Sequence, residues 1–500
     1  MSLSTALNTI NSAFVTNAAQ SAIISSNISN ASTPGYAREL ANLITTAAGG
    51  VTVGSYTREA NAALSDQLSS STSQAAYEQA LSDGLSTLSQ TVSDSSSATS
   101  SSGATANGNS PSAMLANLQS ALATYDATPS STSAGQAVVT AASDLGSSLN
   151  AGANAVQSVR ETADSDMASS VNTINSLLTQ FSAVNATIVS GIASGADISG
   201  AEDSRDTILT QLSQQIGVST VNNPDGSMSI YTDSGVTLFQ GGVPRSVSFT
   251  PSPTLTDGMS GNAVTVDGVP ITGANAPMAI QSGALAGYAN LRDNVAPQYG
   301  AQLDQLAGGL IGAFAESDQT GGGAPTMPGL FTFAGATGVP STAATTGLAN
   351  EIEINANVDP SQGGNVNLLR DGGIADPTNP AYTYNTTGAA SYTGRIQQLM
   401  SGLTTAQSFG GSTGLPTSAS LTDYANDSVS WLQGANQAAS NQVDYQNSLV
   451  SSATTALSNA TGVNLDTEMT NMLNIENSYQ TTAKLLTTVN TMFTTLLNAV

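Results

Sequence analysis

The chain has no cysteine, no histidine, one tryptophan and a single lysine, Lys484, among its 500 residues. Without cysteine there is no disulfide, no thiolate metal ligand and no thiol nucleophile. Without histidine there is no Ser-His-Asp triad and no imidazole-bound metal. Nine basic residues stand against thirty-four acidic ones, giving a net charge of −25 with no Lys/Arg cluster to offset it. Such a chain repels phosphate backbones and anionic lipid surfaces, so nucleic acid and membrane are not expected partners. Long apolar runs are scarce too. No window approaches the roughly eighteen apolar residues of a membrane span, so no membrane insertion is expected. No cofactor is expected either.

What is present is mostly small and neutral. Only 9% of residues are charged and 5% aromatic, so Ser, Thr, Asn, Gln and Gly must cover the surface. That balance suits an extracellular bacterial surface protein better than a cytosolic enzyme. Residues 1–35 carry no charged side chain, and they lack the basic start and continuous apolar stretch of a secretory signal. The expectation is export without a cleavable signal.

Both ends carry one pattern. Alternate spacing of four and three gives Leu3, Leu7, Ile10, Phe14, Asn17, Ser21, Ile24 and Ile28, six of them apolar, and so a helical packing seam. The same spacing gives Leu465, Met469, Met472, Glu476, Tyr479, Ala483, Leu486, Asn490, Phe493, Leu497 and Val500. The opposite faces are Ser, Thr, Asn and Gln rather than salt-bridged charges. Helices with narrow seams and little ion pairing are marginal alone and need partners. The spacing therefore predicts that the first seam packs antiparallel against the second, ordering on assembly.

Between the ends, Leu81, Leu85, Leu88 and Val92 close a helix before a Ser-rich linker over 93–110. Helix is expected from about 113 to 216, from 285 to 316 with a break at Pro297, and from 394 to 457. Short period-two runs with Asn223-Pro224-Asp225-Gly226 and Asp267-Gly268 turns predict strands over 218–266. A second β-rich stretch is expected over 325–393. The fold class is α+β and multidomain: an elongated helical frame with coiled-coil-like terminal helices packed together and inserted β-rich outer domains. The boundaries are 1–40 plus 463–500 for a terminal helical domain; 41–216, 284–320 and 394–462 for a helical rod; and 217–283 plus 321–393 for the β-rich insertions.

The run Ser26-Asn27-Ile28-Ser29-Asn30, followed by Pro34-Gly35-Tyr36-Ala37-Arg38, resembles the N-terminal motif of bacterial flagellar rod, hook and hook-associated proteins. The segment Gly462 to Met469, with Tyr479-Gln480 and Ala483-Lys484, is similar to that family's closing helix. Asp203-Ser204-Arg205-Asp206 and Leu291-Arg292-Asp293 resemble motifs of its hook-associated branch, which joins hook to filament. The resemblance implies a structural subunit, not an enzyme, that forms a helical ring with copies of itself. Its partners would be the hook protein, the next hook-associated junction protein and an export chaperone on the C-terminal helix. It would pass unfolded through the flagellar type III channel and reside outside the cell at the hook–filament junction. A hook or rod protein of the same family, or a Ser/Thr-rich surface-layer or adhesin protein, is the alternative.

Other features read more plainly. Glu351 with Glu353, and Asp164 with Asp166, are close enough for paired-carboxylate chemistry, but a solvated face explains them. Gly321-Gly322-Gly323 reads as a flexible connector. Arg38, Arg205 and Arg292 are candidate ion-pair anchors, because cations are so few.

Overall fold

The computed structural model describes residues 3–47, 49–93, 108–341 and 345–498. Most of the expected linker over 93–110, and Val500, lie outside the described residues.

Helix α1 (Leu3–Asn30) leads into an antiparallel hairpin, β1 (Glu39–Thr45) and β2 (Val51–Arg58), and then α2 (Ala62–Ser89). The hairpin departs from the helical reading of residues 41 onward. Its strands hold Leu43 and Ile44 opposite Val53 and Thr52, β-branched and aliphatic residues that favour a pleated surface. Three helices follow: α3 (Pro111–Ala127), α4 (Thr132–Ser194) and α5 (Ser199–Gln215). The expected single region is thus cut twice, each cut marked by local chemistry. Ser131 accepts the Ala134 N–H at the start of α4, and Gly195, at φ +69°, stops it with left-handed backbone.

The strands β3 (Val218–Asn222), β4 (Met228–Thr232), β5 (Thr237–Gln240) and β6 (Val243–Pro244) form an antiparallel meander. Beside it β7 (Val247–Ser248), β8 (Thr265–Val266) and β9 (Val269–Pro270) make a three-stranded sheet. Asp267 and Gly268 both have positive φ, as the two-residue hairpin turn requires. Next come α6 (Ala284–Asn290), a π turn over Leu291–Val295 and α7 (Ala296–Ala313). Pro297 has no N–H for the Asp293 carbonyl, and the wide turn absorbs that loss.

Residues 325–393 contain far less strand than expected. Among the described residues there, only β10 (Phe331–Phe333) pairs with β11 (Ile352–Ile354), around the short helices α8 (Leu348–Glu351) and α9 (Leu368–Asp371). Side-chain caps replace a ladder in this stretch and just before it: Asp318, Asp359 and Asp376 each accept the backbone N–H two residues on. Asp318 also accepts Gly323 N at 2.6 Å and Ala324 N at 3.1 Å. The Gly321–Gly323 turn is therefore pinned rather than a free connector. The hydroxyl and amide of Thr320 hold the Asp318 carboxyl down to about 2. The chain then runs through α10 (Gly394–Thr404), the β12–β13 pair (Gln407–Ser408, Ser418–Ala419), α11 (Leu421–Thr461) and α12 (Leu465–Asn498).

Two hydrophobic clusters share α4 as a spine. One joins its first half to α3, α7, α10, the start of α11 and residues 330–374. The other joins Met167–Phe181 to α5, α6 and the β3–β9 sheets, where Phe181 meets Phe239 edge-on at 4.9 Å. The two stretches grouped as β-rich insertions thus belong to different cores. One part of α4 is long and apolar enough, by length and composition alone, to cross a membrane. Its buried positions recur every three or four residues from Val138 to Ile188 and pack into both cores.

Candidate assembly interface

Helices α1 and α12 lie antiparallel. Asn17 donates to Ser478 at 3.0 Å, Phe14 and Tyr479 have ring centroids 5.9 Å apart, and Asn27 donates to Glu468 at 3.4 Å. Ascending α1 descends α12, as the two seams predict. On α1, Ile10 and Ile24 are buried, while Leu3, Leu7, Phe14 and Ile28 are half-buried. On α12, Met472, Tyr479, Leu486 and Phe493 are half-buried.

The rest of the second seam faces elsewhere. Leu465, Ala483, Met469 and Leu497 are exposed, the last two to 61% and 74%. The buried line is instead Glu468, Ile475, Thr482 and Val489, a seven-residue repeat one position earlier. One residue is about 100° on a helix, so half of the expected contact face has turned aside. The cause is polar. Glu468, only 1% exposed, turns inward to Arg38 Nε at 2.7 Å, and the Thr482 hydroxyl is satisfied by the Ser478 carbonyl at 2.7 Å. Hydrophobic periodicity passes over a repeat with Glu and Thr in two of four places; the spacing itself is the signal that finds it. Left uncovered on α12 are Leu465, Met469 and Leu473 on one flank and Leu485, Met492 and Leu496 on the other.

The Asn-Ile-x-Asn and Gly-Tyr-x-Arg residues form the joint below this pair. Asn27 Nδ2 donates to the Glu39 carbonyl, and its Oδ1 accepts Glu39 N and the Tyr36 hydroxyl, all within 3.0 Å. Its amide thus mimics a strand neighbour for β1. Asn30 donates to the Ser26 carbonyl at 3.1 Å, closing the helix end. Gly35, at φ +81°, makes the turn that Tyr36 N closes on the Thr33 carbonyl. Arg38 then bridges Glu468 and Glu59. Burial pulls its guanidinium down, and those two carboxylates together raise it above the usual value.

The internal motif residues anchor the hairpin and the spine. Arg58 spans Glu202, Asp203 and Asp206 at 3.0, 2.9 and 2.6 Å, clamping β2 to α5. Arg205 reaches the Gly226 carbonyl in the β3–β4 turn at 3.0 Å. Arg292, fully buried in the π turn, pairs with Asp164 and Asp293 and donates to the Asn262 carbonyl at 2.8 Å. Asp164 is therefore a buried counter-ion, not part of a solvated face. A Cβ on Gly261 would stand 2.2 Å from Arg292 Cζ, so a side chain there would have to displace the buried guanidinium. Arg160 holds the same loop through the Thr256 and Met259 carbonyls. Sequence reasoning missed Arg58 and Arg160, which sit in no recognisable motif. Among the described residues, no group of three or more acidic side chains is placed to hold a metal ion.

Residues 101–331 match the flagellar hook-associated protein FlgK helical domain, and residues 456–499 match the flagellar basal body rod FlgEFG protein C-terminal region. Together these matches take in more than half of the chain. No curated protein matches it. A solved structure of the flagellar hook junction protein FlgK from Burkholderia pseudomallei is similar, with 21% identity and a TM-score of 0.43. The alignment covers 54% of this chain and 47% of that one, so this chain spans about half the length of that relative.

Proposed function

We propose, from the match of residues 101–331 to the FlgK helical domain, that the chain is a flagellar hook-associated protein and a non-enzymatic structural subunit joining hook to filament. It polymerises with its own copies as a helical ring between the hook protein and the next junction protein. Residues 1–40 and 463–500 form the inner assembly domain, with Leu3, Leu7, Ile10, Phe14, Ile24 and Ile28 facing α12. The sheets of residues 217–283 face outward. Export runs through the type III channel without a cleavable signal, with a chaperone covering α12 beforehand.

One observation carries the reading: α12 buries Glu468 and Thr482 while leaving seven large apolar side chains in water. A helix arranged only for its own chain would be turned the other way, because exposed apolar area costs about 25 cal/mol per Å². Copies packed on both flanks recover that area. Ordering on assembly follows, since a seam this narrow gives α1 and α12 little stability alone.

Deleting residues 463–500 in swimming cells tests the proposal. Filament protein should be exported into the medium, and hooks should stand bare. Normal filaments on intact hooks would overturn it.

A further inference from the structure

Lys484, the single lysine in a chain of net charge −25, stands exposed on α12. It borders a shallow groove of about 750 Å³ together with Thr488, Thr491, Met492 and Leu496. Among the described residues no carboxylate pairs with it. A long cationic side chain in an acidic protein has many possible local partners, and here it has taken none.

A complementary feature lies lower on the same terminal pair. A cleft of about 370 Å³ opens between α1, β1 and α12, lined by Asn17, Gln20, Glu39, Asn471 and Asn474 together with the Arg38–Glu468 pair. Arg38 is already shared by Glu468 and Glu59, and among the described residues no cation pairs with Glu39. Burial pushes the Glu39 carboxyl up, and the nearby Asp197 and Asp203 push it further. The cleft therefore carries negative charge that its own chain does not neutralise.

We infer that Lys484 of one copy of this chain seats in the Glu39 cleft of a second copy. The inference rests on the self-assembly reading above and names its contact. Within one chain the two cannot meet, because Lys484 lies sixteen residues beyond Glu468, about 24 Å along the helix axis. Asp466 is no substitute. It precedes Lys484 by eighteen residues, which is five whole turns, so both point the same way and could pair only between copies related by a two-fold axis. Glu39 and Lys484 occupy different surfaces, which makes the contact heterologous and repeating. The uncovered Met492 and Leu496 beside Lys484 are carried with it onto the neighbour.

The absence of cysteine makes the test clean. Full-length Glu39→Cys and Lys484→Cys chains are mixed at a concentration where the unmodified chain sediments as assemblies, then treated with a short bis-maleimide. Covalent dimers should form at least tenfold more in the mixture than with either variant alone. In parallel, Lys484→Glu should raise the concentration needed for assembly severalfold, and adding Glu39→Lys should restore it. Assemblies without mixed dimers, and with Lys484→Glu behaving as the unmodified chain, overturn the contact but leave self-assembly standing. Dimers confined to Lys484→Cys alone mean that Lys484 meets its own counterpart across a two-fold axis, and they overturn the contact as well. If the unmodified chain never sediments, the self-assembly reading fails first.

Discussion

At the scale of single residues, this protein uses its few cations inside. Arg292 is fully buried and Arg58 and Arg205 nearly so, and each joins segments distant in sequence. Removing one partner of such a pair is far costlier than never having had it, because the other charge stays buried and uncompensated. Asp304 on α7 is the opposite case, a buried carboxyl with no cation paired to it among the described residues. It accepts Gly347 N and Ala349 N, both at 2.9 Å, and so fixes the start of α8. Burial raises its pKa to about 6, with Asp257 and Glu351 adding repulsion. A carboxyl raised on folding stabilises the fold most at low pH, and that contribution is lost as pH rises through about 6. Urea unfolding at pH 5 and pH 7.5 measures it. The unmodified chain should lose up to about 1.4 kcal/mol more over that interval than Asp304→Asn does. Equal slopes for the two chains would show that Asp304 titrates as it does in the unfolded chain.

At the scale of elements, the terminal helices divide into what the monomer uses and what it leaves over. Seam spacing was enough to place α1 against α12 in antiparallel order, because helical period is a local property of the sequence. It could not place the rotation of α12, which depends on a carboxylate drawn inward by an arginine 430 residues away. Arg38 itself was legible as an anchor, through its motif and the scarcity of cations; its partner was not. The β1–β2 hairpin was passed over because its strands follow a strong helical seam directly. The stretch 325–393 was read as strand because Asx caps and β-turns share their residues with hairpin loops. A pair of substitutions separates the two faces of α12. Ile475→Ala removes a buried contact and should destabilise the α1–α12 pair by about 2–4 kcal/mol. Met469→Ala, on the exposed flank, should change monomer stability by less than about 0.5 kcal/mol. Amide exchange of α1 and α12 within assemblies reads the first effect, and the concentration at which assemblies sediment reads the second. If Met469→Ala weakens the monomer as much as Ile475→Ala does, the division of faces is wrong.

At the scale of the whole molecule, charge and assembly pull against each other. Each copy carries −25, so bringing copies together in a ring sums a long-range repulsion that no single contact offsets. One exposed ion pair such as Lys484 with a neighbour's carboxylate contributes about 0.2–1 kcal/mol and weakens with salt. The apolar flanks of α12 do not weaken with salt. Screening shortens the Debye length from about 30 Å at 0.01 M to about 8 Å at 0.15 M, well inside the separation of most charges on neighbouring subunits. The repulsion thus fades over that range faster than the attraction does. Assembly of the purified chain should accordingly begin at a lower protein concentration in 0.15 M salt than in 0.01 M, as followed by light scattering. The opposite trend would mean that ion pairs, rather than the uncovered apolar flanks of α12, dominate the contact between copies.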